Sequence, residues 1–374
     1  MRPRLRIGVV GTGMVAQIMH LPYLRELDDH YQVRALCDSS RTVLEHCGAR
    51  FGVDRLFTDW NELIEEDLDA VFVLTSGSHA APAIAAAQAG RHVFVEKPFC
   101  YSVTEGTGML AAAERSKVVL MVGYPKRYDP AYSRAGEVVQ RLEDLRFARV
   151  TTLEAPYEPY VAHHRFVRGQ DVTEDQIEER RATHSRLVDE AVGCTVDEAR
   201  VTYEAVLIDT MVHEFNLLRG ILGEPSAVRF ASLEKTAVTV VLDFDGVGCT
   251  VTWLDLPAIA DYEMEACFYD PGTRVRLAFP SPYLKNAPTS LEVTSGVPGG
   301  PETATSRELV SFESSFKREL IAFHQAVTGE SEAVTPGLDG LRDIALCQAV
   351  VASARSGLAQ PAPTDVSADG GGTR

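Results

Sequence analysis

Leu5-Arg6-Ile7-Gly8-Val9-Val10-Gly11-Thr12-Gly13-Met14-Val15-Ala16 is the stretch on which the fold turns. Its first half is a short apolar run, the pattern of a strand buried on both faces of a parallel sheet. Gly11 to Ala16 then spell GxGxxA where a helix running from Met14 to Leu27 is expected to open. Glycine permits the tight turn and lets backbone N–H groups approach a pyrophosphate, while Ala16 keeps the helix close to the sheet. Asp38 lies 22 residues beyond Ala16, at the end of the next apolar run, Val33 to Cys37. A carboxylate there accepts hydrogen bonds from an adenosine ribose and repels a 2′-phosphate. Strand, loop, helix and acid therefore agree on a dinucleotide site built on Gly11, Gly13, Met14, Val15 and Asp38. NAD is preferred, and Arg41, which could pair with a phosphate, keeps NADP open.

Working outward, apolar runs at Ala70 to Leu74, His92 to Glu96 and Val118 to Tyr124 alternate with helix-like stretches at Thr42 to Phe51 and His79 to Ala89. That alternation predicts an α/β domain over residues 1–125 with a doubly wound parallel sheet of the Rossmann kind. Beyond Tyr124 the strands lengthen. Val238 to Leu256 and Tyr262 to Phe279 are broken by Asp245-Gly246 and Asp270-Pro271-Gly272, both good turn sequences. A strand at Arg149 to Ala155, a helical region from Glu174 to Leu222 and closing amphipathic helices at Ser315 to Thr328 and Leu338 to Ala354 complete the pattern. It predicts an α+β domain over 126–358 with a large, mostly antiparallel open sheet. Residues 359–374 have the composition of an unstructured tail.

The 374 residues are 45% hydrophobic and 24% charged, with a formal net charge of -17. That field repels nucleic-acid phosphates and anionic lipid headgroups, so neither is expected as a partner. Only 6 of the 36 basic residues are lysines, which makes each lysine easier to weigh. Seven scattered cysteines form no CxxC pair and no zinc-ligand spacing, so no metal is expected and the compartment is a reducing one. The start lacks the apolar core of a signal peptide, and a cytoplasmic location is expected. The longest uncharged stretch, Ala70 to Gly90, contains Thr75, Ser76, Gly77, Ser78, His79 and Pro82 and reads as strand, loop and helix rather than a membrane span.

Two constellations carry chemistry. Val93-Phe94-Val95 ends in Glu96-Lys97-Pro98, at the carboxyl edge of the first sheet where open α/β domains bind ligands. In the helix around residues 207–222, Leu207, Ile208, Met211, Phe215, Leu218 and Leu222 fall on one side at 100° per residue, and Asp209, His213, Asn216 and Gly220 on the other. That second stripe offers short side chains suited to a site floor. A histidine exchanges protons near neutrality, and Asp209 could orient it or hold a substrate hydroxyl. Lys126 and Arg127 follow the apolar run Val118 to Tyr124 and could bind substrate oxygens, with Arg127 the choice, while His163 lies in the segment before the acidic helix.

With these residues on the page, the chain resembles the Gfo/Idh/MocA family of NAD(P)-dependent oxidoreductases. The resemblance rests on GVVGTGMVA, on GRHVFVEKPF with His79 seventeen residues before Glu96, on MVGYPKRYDPAY, on IDTMVHEFNLLRGILG and on LRDIALCQAVVASARSG. It implies a nicotinamide near Lys97, a Lys97-Pro98 bond able to be cis, and cofactor contacts from Thr75, Ser76, His79 and Glu96. The loop after β-run Ala70 to Leu74 departs from the Thr-Pro-Asn run common in the family. The resemblance also implies an acid–base site of Lys97, Asp209 and His213, substrate contacts from Arg127, Asn216 and His163, and a homodimer or homotetramer through the second sheet. The expected activity is hydride transfer between NAD(H) and a secondary alcohol or ketone of a sugar, cyclitol or related polyol. Either Lys97 or His213 could accept the proton. The same fold also serves non-catalytic dinucleotide-dependent regulators, and some relatives use transient oxidation for elimination or glycosidic cleavage.

Overall fold

The computed structural model describes residues 3–297, 299–363 and 366. Its first sheet contains β1 (Leu5–Val10), β2 (Tyr31–Cys37), β3 (Arg55–Phe57), β4 (Ala70–Val73), β5 (His92–Glu96) and β6 (Leu120–Gly123). All pair in parallel, in the order β3-β2-β1-β4-β5-β6. This is the Rossmann order, with its reversal, and hence its ligand crevice, between β1 and β4. Alternate residues of β4 serve two cores. Val71 and Val73 join Val93, Val95, Ala83 and Ala86 on one face, and Phe72 joins Ile7, Val9 and Phe94 on the other.

The second face is closed by the helix Ser315–Val327. Its Phe316, Leu320 and Phe323 enter the first domain's core, and the Phe323 ring meets Phe72 at 5.2 Å and Phe94 at 5.7 Å. Burying such a ring contributes about 1.5–3 kcal/mol relative to leaving it exposed. The amphipathic stripe was legible, but its partner was not: the helix was expected among residues 126–358 as part of the second domain, and it packs on the first.

The second sheet contains β7 (Phe147–Glu154), β8 (Ala227–Glu234), β9 (Ala237–Phe244), β10 (Val247–Asp255), β11 (Glu263–Tyr269), β12 (Thr273–Phe279), β13 (Ser290–Gly296), β14 (Thr303–Leu309) and β15 (Gln360–Pro361). Their order is β14-β13-β12-β11-β7-β10-β9-β8-β15. The pairing is antiparallel apart from β7 with β10. Between β9 and β10, Asp245 (φ 50°) and Gly246 (φ 99°) both take positive φ, the geometry that matches a two-residue turn to the twist of its strands. The unstructured tail expected from residue 359 is not found at its start. Gln360–Pro361 pair with β8, and Ala362 is buried and donates its N–H to Ser226 O at 3.1 Å. Residues 364, 365 and 367–374 lie outside the described residues. Among the described residues no helix is long and apolar enough to cross a membrane.

Candidate active site

At the reversal between β1 and β4 the chain needs glycine. Gly11 has φ +93°, and a Cβ there would lie 2.6 Å from the backbone nitrogen of Thr75 in the loop after β4. A Cβ on Gly13 would meet nothing within 4 Å, so the backbone at that point is open to a ligand. Asp38, at the end of β2, clamps the loop: Oδ2 accepts from Thr12 N at 2.8 Å and Thr12 Oγ1 at 3.1 Å, and Oδ1 accepts from Ser40 N at 3.0 Å. A carboxylate has about four acceptor sites, so one remains for a ribose hydroxyl. Thr75 Oγ1 is buried beside this crevice with no hydrogen-bond partner among the described residues. The open Gly13 backbone, the Asp38 clamp and that unpaired hydroxyl fit a dinucleotide.

His79 has a different task. Its buried ring lies between the carbonyls of Pro98 (2.8 Å) and Thr75 (2.9 Å), tying the β4 loop to the turn after β5. Burial pushes its pKa down while the two carbonyl acceptors pull it back up, and the ring braces the site from behind. Ser76 is exposed on the loop between them, and Met14 and Val15 are half-buried at the helix start.

The Glu96-Lys97-Pro98 turn contains a cis Lys97-Pro98 bond. Glu96 Oε2 accepts from Lys97 N at 3.0 Å and Oε1 meets His20 Nε2 at 2.5 Å. Glu319, fully buried behind them on the helix that closes the first core, has neither oxygen partnered among the described residues. Burial, reinforced by Glu96, raises its carboxyl well above the usual range, so it holds a proton. His20, Glu96 and Glu319 offer ligand atoms within 4.8 Å of one another, and the His20–Glu96 bond leaves His20 Nδ1 and both Glu319 oxygens without a hydrogen-bond partner among the described residues.

Lys97 Nζ donates to the backbone oxygen of Asp209 at 2.6 Å and to Asp209 Oδ1 at 2.9 Å. Asp209 stands in a π-helical stretch, Tyr203–Met211, which passes into an α-helix at Val212–Leu222. The wider π turns shift the phase expected of one straight helix. Asp209 thus faces Lys97 across the domain boundary rather than pairing with His213. His213 lies against the edge of Tyr124, with ring centroids 5.9 Å apart, and its Nδ1 has no hydrogen-bond partner among the described residues. Burial first, then the charges of Lys126 and Lys97, lower its pKa well below the ordinary value. The imidazole is neutral at pH 7, which corrects the expectation of an unperturbed histidine.

Lys97, Asp209 and His213 line one cleft of about 570 Å³ between the two sheets, together with Val15 and Glu96. Its far wall comes from the second domain and includes Tyr157, Tyr160, Trp253, Tyr262 and Tyr283. Lys126 also lines it, beside Glu214 and Glu154, and burial lowers its pKa. Three of the chain's six lysines, Lys97, Lys126 and Lys285, therefore reach this cleft.

Arg127 and Asn216, expected at the substrate, are committed elsewhere. Arg127 Nη1 donates to Asn216 Oδ1 at 3.0 Å, and Asn216 Nδ2 donates to Asp339 and Asp343, each at 2.7 Å. Both belong to a buried polar lock behind the site, because the chain after β6 turns Lys126, not Arg127, into the cleft. His163 is exposed and stacks on His164 with centroids 4.1 Å apart, and it does not itself line the cleft. The aromatic wall was missed because it is assembled from strand ends and loops scattered from residue 157 to 283, without a local pattern. The rarity of lysine was the one signal that could have singled out Lys126.

Fold and cleft together define a two-domain oxidoreductase with an NAD-binding first domain. Residues 5–124 match the family model GFO_IDH_MocA, described as an oxidoreductase family with an NAD-binding Rossmann fold. The chain is 28% identical over 235 residues to myo-inositol 2-dehydrogenase of Thermotoga maritima, covering 59% of this chain and 67% of the relative. It is 27% identical over 366 residues to D-apiose dehydrogenase of Paraburkholderia graminis, covering 95% and 88%. Among solved structures, a levoglucosan dehydrogenase in complex with NADH superposes with a TM-score of 0.75 at 17% identity, covering 96% of this chain and all of the other.

Proposed function

We propose that this chain is an NAD-dependent dehydrogenase that oxidises a secondary alcohol of a sugar, cyclitol or related polyol, or reduces the matching ketone. The observation that carries this is the opening of Lys97 and His213 into one cleft at the carboxyl edge of the first sheet. Relatives named for myo-inositol and D-apiose support the substrate class. Gly11, Gly13, Met14, Val15 and Asp38 would hold the dinucleotide, with Thr75 and Glu96 at its nicotinamide end. When bound, it supplies a hydride acceptor.

The chain's own groups divide the rest of the work. The hydroxyl must lose its proton as its carbon is oxidised. Lys97 is ion-paired with Asp209 and serves as a hydrogen-bond donor to the developing alkoxide. His213, held neutral, accepts the proton. The aromatic wall covers the apolar faces of a ring, while Lys126, Glu154 and Asp255 supply polar contacts for its hydroxyls.

The direct test is NADH formation from NAD across a panel of inositols, pentoses, hexoses and anhydrosugars. Net NADH with a matching ketone is expected. Turnover with catalytic NAD and no net NADH would instead mark elimination or glycosidic cleavage, and no turnover on any member of the panel would refute the assignment. A finer expectation concerns pH. Because a protonated His213 cannot act as base, kcat/KM should fall only on the acid side of the ordinary histidine range. Lys126→Met removes one of the charges that hold the imidazole neutral, so the acid limb should move to higher pH. A limb that stays in place in the variant would separate Lys126 from His213.

A further inference from the structure

The segment after the aromatic wall crosses the first domain. Gln17, buried in the helix after the glycine loop, holds it at two points: Nε2 donates to Val167 O at 2.8 Å and Oε1 accepts from Val167 N at 2.9 Å. The same Nε2 donates to Thr12 O at 2.8 Å, so the strap is wired directly to the dinucleotide loop. Gly169 then passes so close to Ser40 that a Cβ would lie 2.5 Å from its hydroxyl. Next comes Asp171. One of its oxygens accepts from Ser40 Oγ and the other accepts from Thr42 N at 3.0 Å. Further along, Arg180 donates to Ser39 Oγ.

Ser39 to Thr42 are the residues immediately after Asp38. A ribose whose 2′-hydroxyl sits on Asp38 points that position at this turn, which heads the eleven-residue helix Arg41–Phe51. Besides Arg41, the donors this turn could offer a 2′-phosphate are the Ser40 hydroxyl and the Thr42 N–H, together with the positive end of that helix. Both donors are already given to Asp171. The Ser40 hydroxyl and Thr42 N–H lower the Asp171 carboxyl to about 2, so it is anionic throughout the neutral range.

We propose that Asp171 is a built-in phosphate mimic: by occupying the Ser40–Thr42 turn with its own carboxylate, the strap makes the chain reject NADP(H) and accept NAD(H). The proposal rests on the dinucleotide reading of the glycine loop and on no assumption about substrate. It gives the polar segment a task that Asp38 performs only in part. Asp38 repels a 2′-phosphate from beneath the ribose, and Asp171 removes the donors that would otherwise compensate.

The test is direct binding of NADH and NADPH to the full-length protein by calorimetry, in wild type, Asp171→Ala and Asp171→Asn. Alanine frees both the space and the donors. Asparagine keeps the shape and an acceptor oxygen but removes the charge. Wild type should prefer NADH, and in both variants the NADPH-to-NADH affinity ratio should rise about tenfold, the scale of one anion gained or lost at a helix N-terminus. NADH affinity should stay within about threefold of wild type on the same scale. A merely structural role would weaken both dinucleotides together and leave the ratio in place. An unchanged ratio in both variants, or a wild type that prefers NADPH, overturns the proposal alone. A wild type that binds neither dinucleotide overturns the dehydrogenase assignment along with it, whereas a shifted ratio in a protein inactive on every polyol supports the strap and refutes only the substrate reading.

Discussion

Lys97→Ala is expected to lower kcat/KM by about 10³, the upper part of the range for removing one preorganised donor to a developing oxyanion. The ammonium lies at the end of β5, anchored by Asp209 through both its carboxylate and its backbone oxygen. Truncation leaves the glycine loop and the Asp38 clamp untouched, so NADH should still bind. Lys97→Arg should not restore the rate, because a planar fork cannot replace a compact ammonium held at two points by one residue. His213→Ala should cost about 10² to 10⁴, the range for a lost acid–base group. If both groups act on the same oxygen in the same step, the double variant will be little worse than the worse single one. Steady-state kinetics with titrated NADH binding decide the matter. A Lys97→Ala protein that binds NADH and turns over at the wild-type rate would remove the assignment, and fully multiplicative losses would place the two groups in different steps.

The parts of this molecule that sequence makes legible are those where one periodicity serves one purpose. β4 and the Val93–Val95 centre of β5 are apolar because both faces of the sheet are covered, and the glycine loop is forced by a backbone approach that no side chain permits. By contrast, β14 is exposed at nearly every position, and its Thr-Ala-Thr-Ser-Arg-Glu-Leu has no alternation to reveal a strand. Only its pairing with β13 holds it in the sheet. Asp209 and His213 were found from their spacing of four, yet the π-helical geometry sends Asp209 to Lys97. The strap was unreadable for another reason. Its contacts to Gln17 and Ser40 are a few hydrogen bonds across 150 and 131 residues of sequence, made by polar side chains that would look equally at home in solvent.

The polar lock behind the site explains why Arg127 and Asn216 resemble substrate ligands without being them, and it sets the second large effect. Arg219, on the helix that also carries His213, is 2% exposed at its side chain and is ringed by carboxylates. It meets Glu224 twice at 2.7 Å, Asp339 Oδ1 at 3.0 Å and Asp343 Oδ1 at 2.5 Å. Asp339 and Asp343 stand on the helix Gly337–Ser356, so the guanidinium fastens one helix to the other. Arg219→Met keeps much of the volume but leaves these acids without their cation, and breaking a buried pair in this way costs about 3–5 kcal/mol. The loss should depend on pH with a definite sign. Burial raises the Asp343 carboxyl to about 7 even with Arg219 beside it. A carboxyl with a higher pKa in the fold than in the unfolded chain binds its proton more tightly there, so its contribution to stability declines as the pH rises from about 4 towards about 7. Without Arg219 that decline extends to higher pH, and the variant should be more destabilised at pH 8 than at pH 6. Adding Asp343→Asn removes the stranded charge and should recover part of the loss at pH 8 but little at pH 6. Urea unfolding at the two pH values checks all of this, and an Arg219→Met protein equally stable to wild type at pH 8 would show that the helix pair is held by its apolar contacts alone.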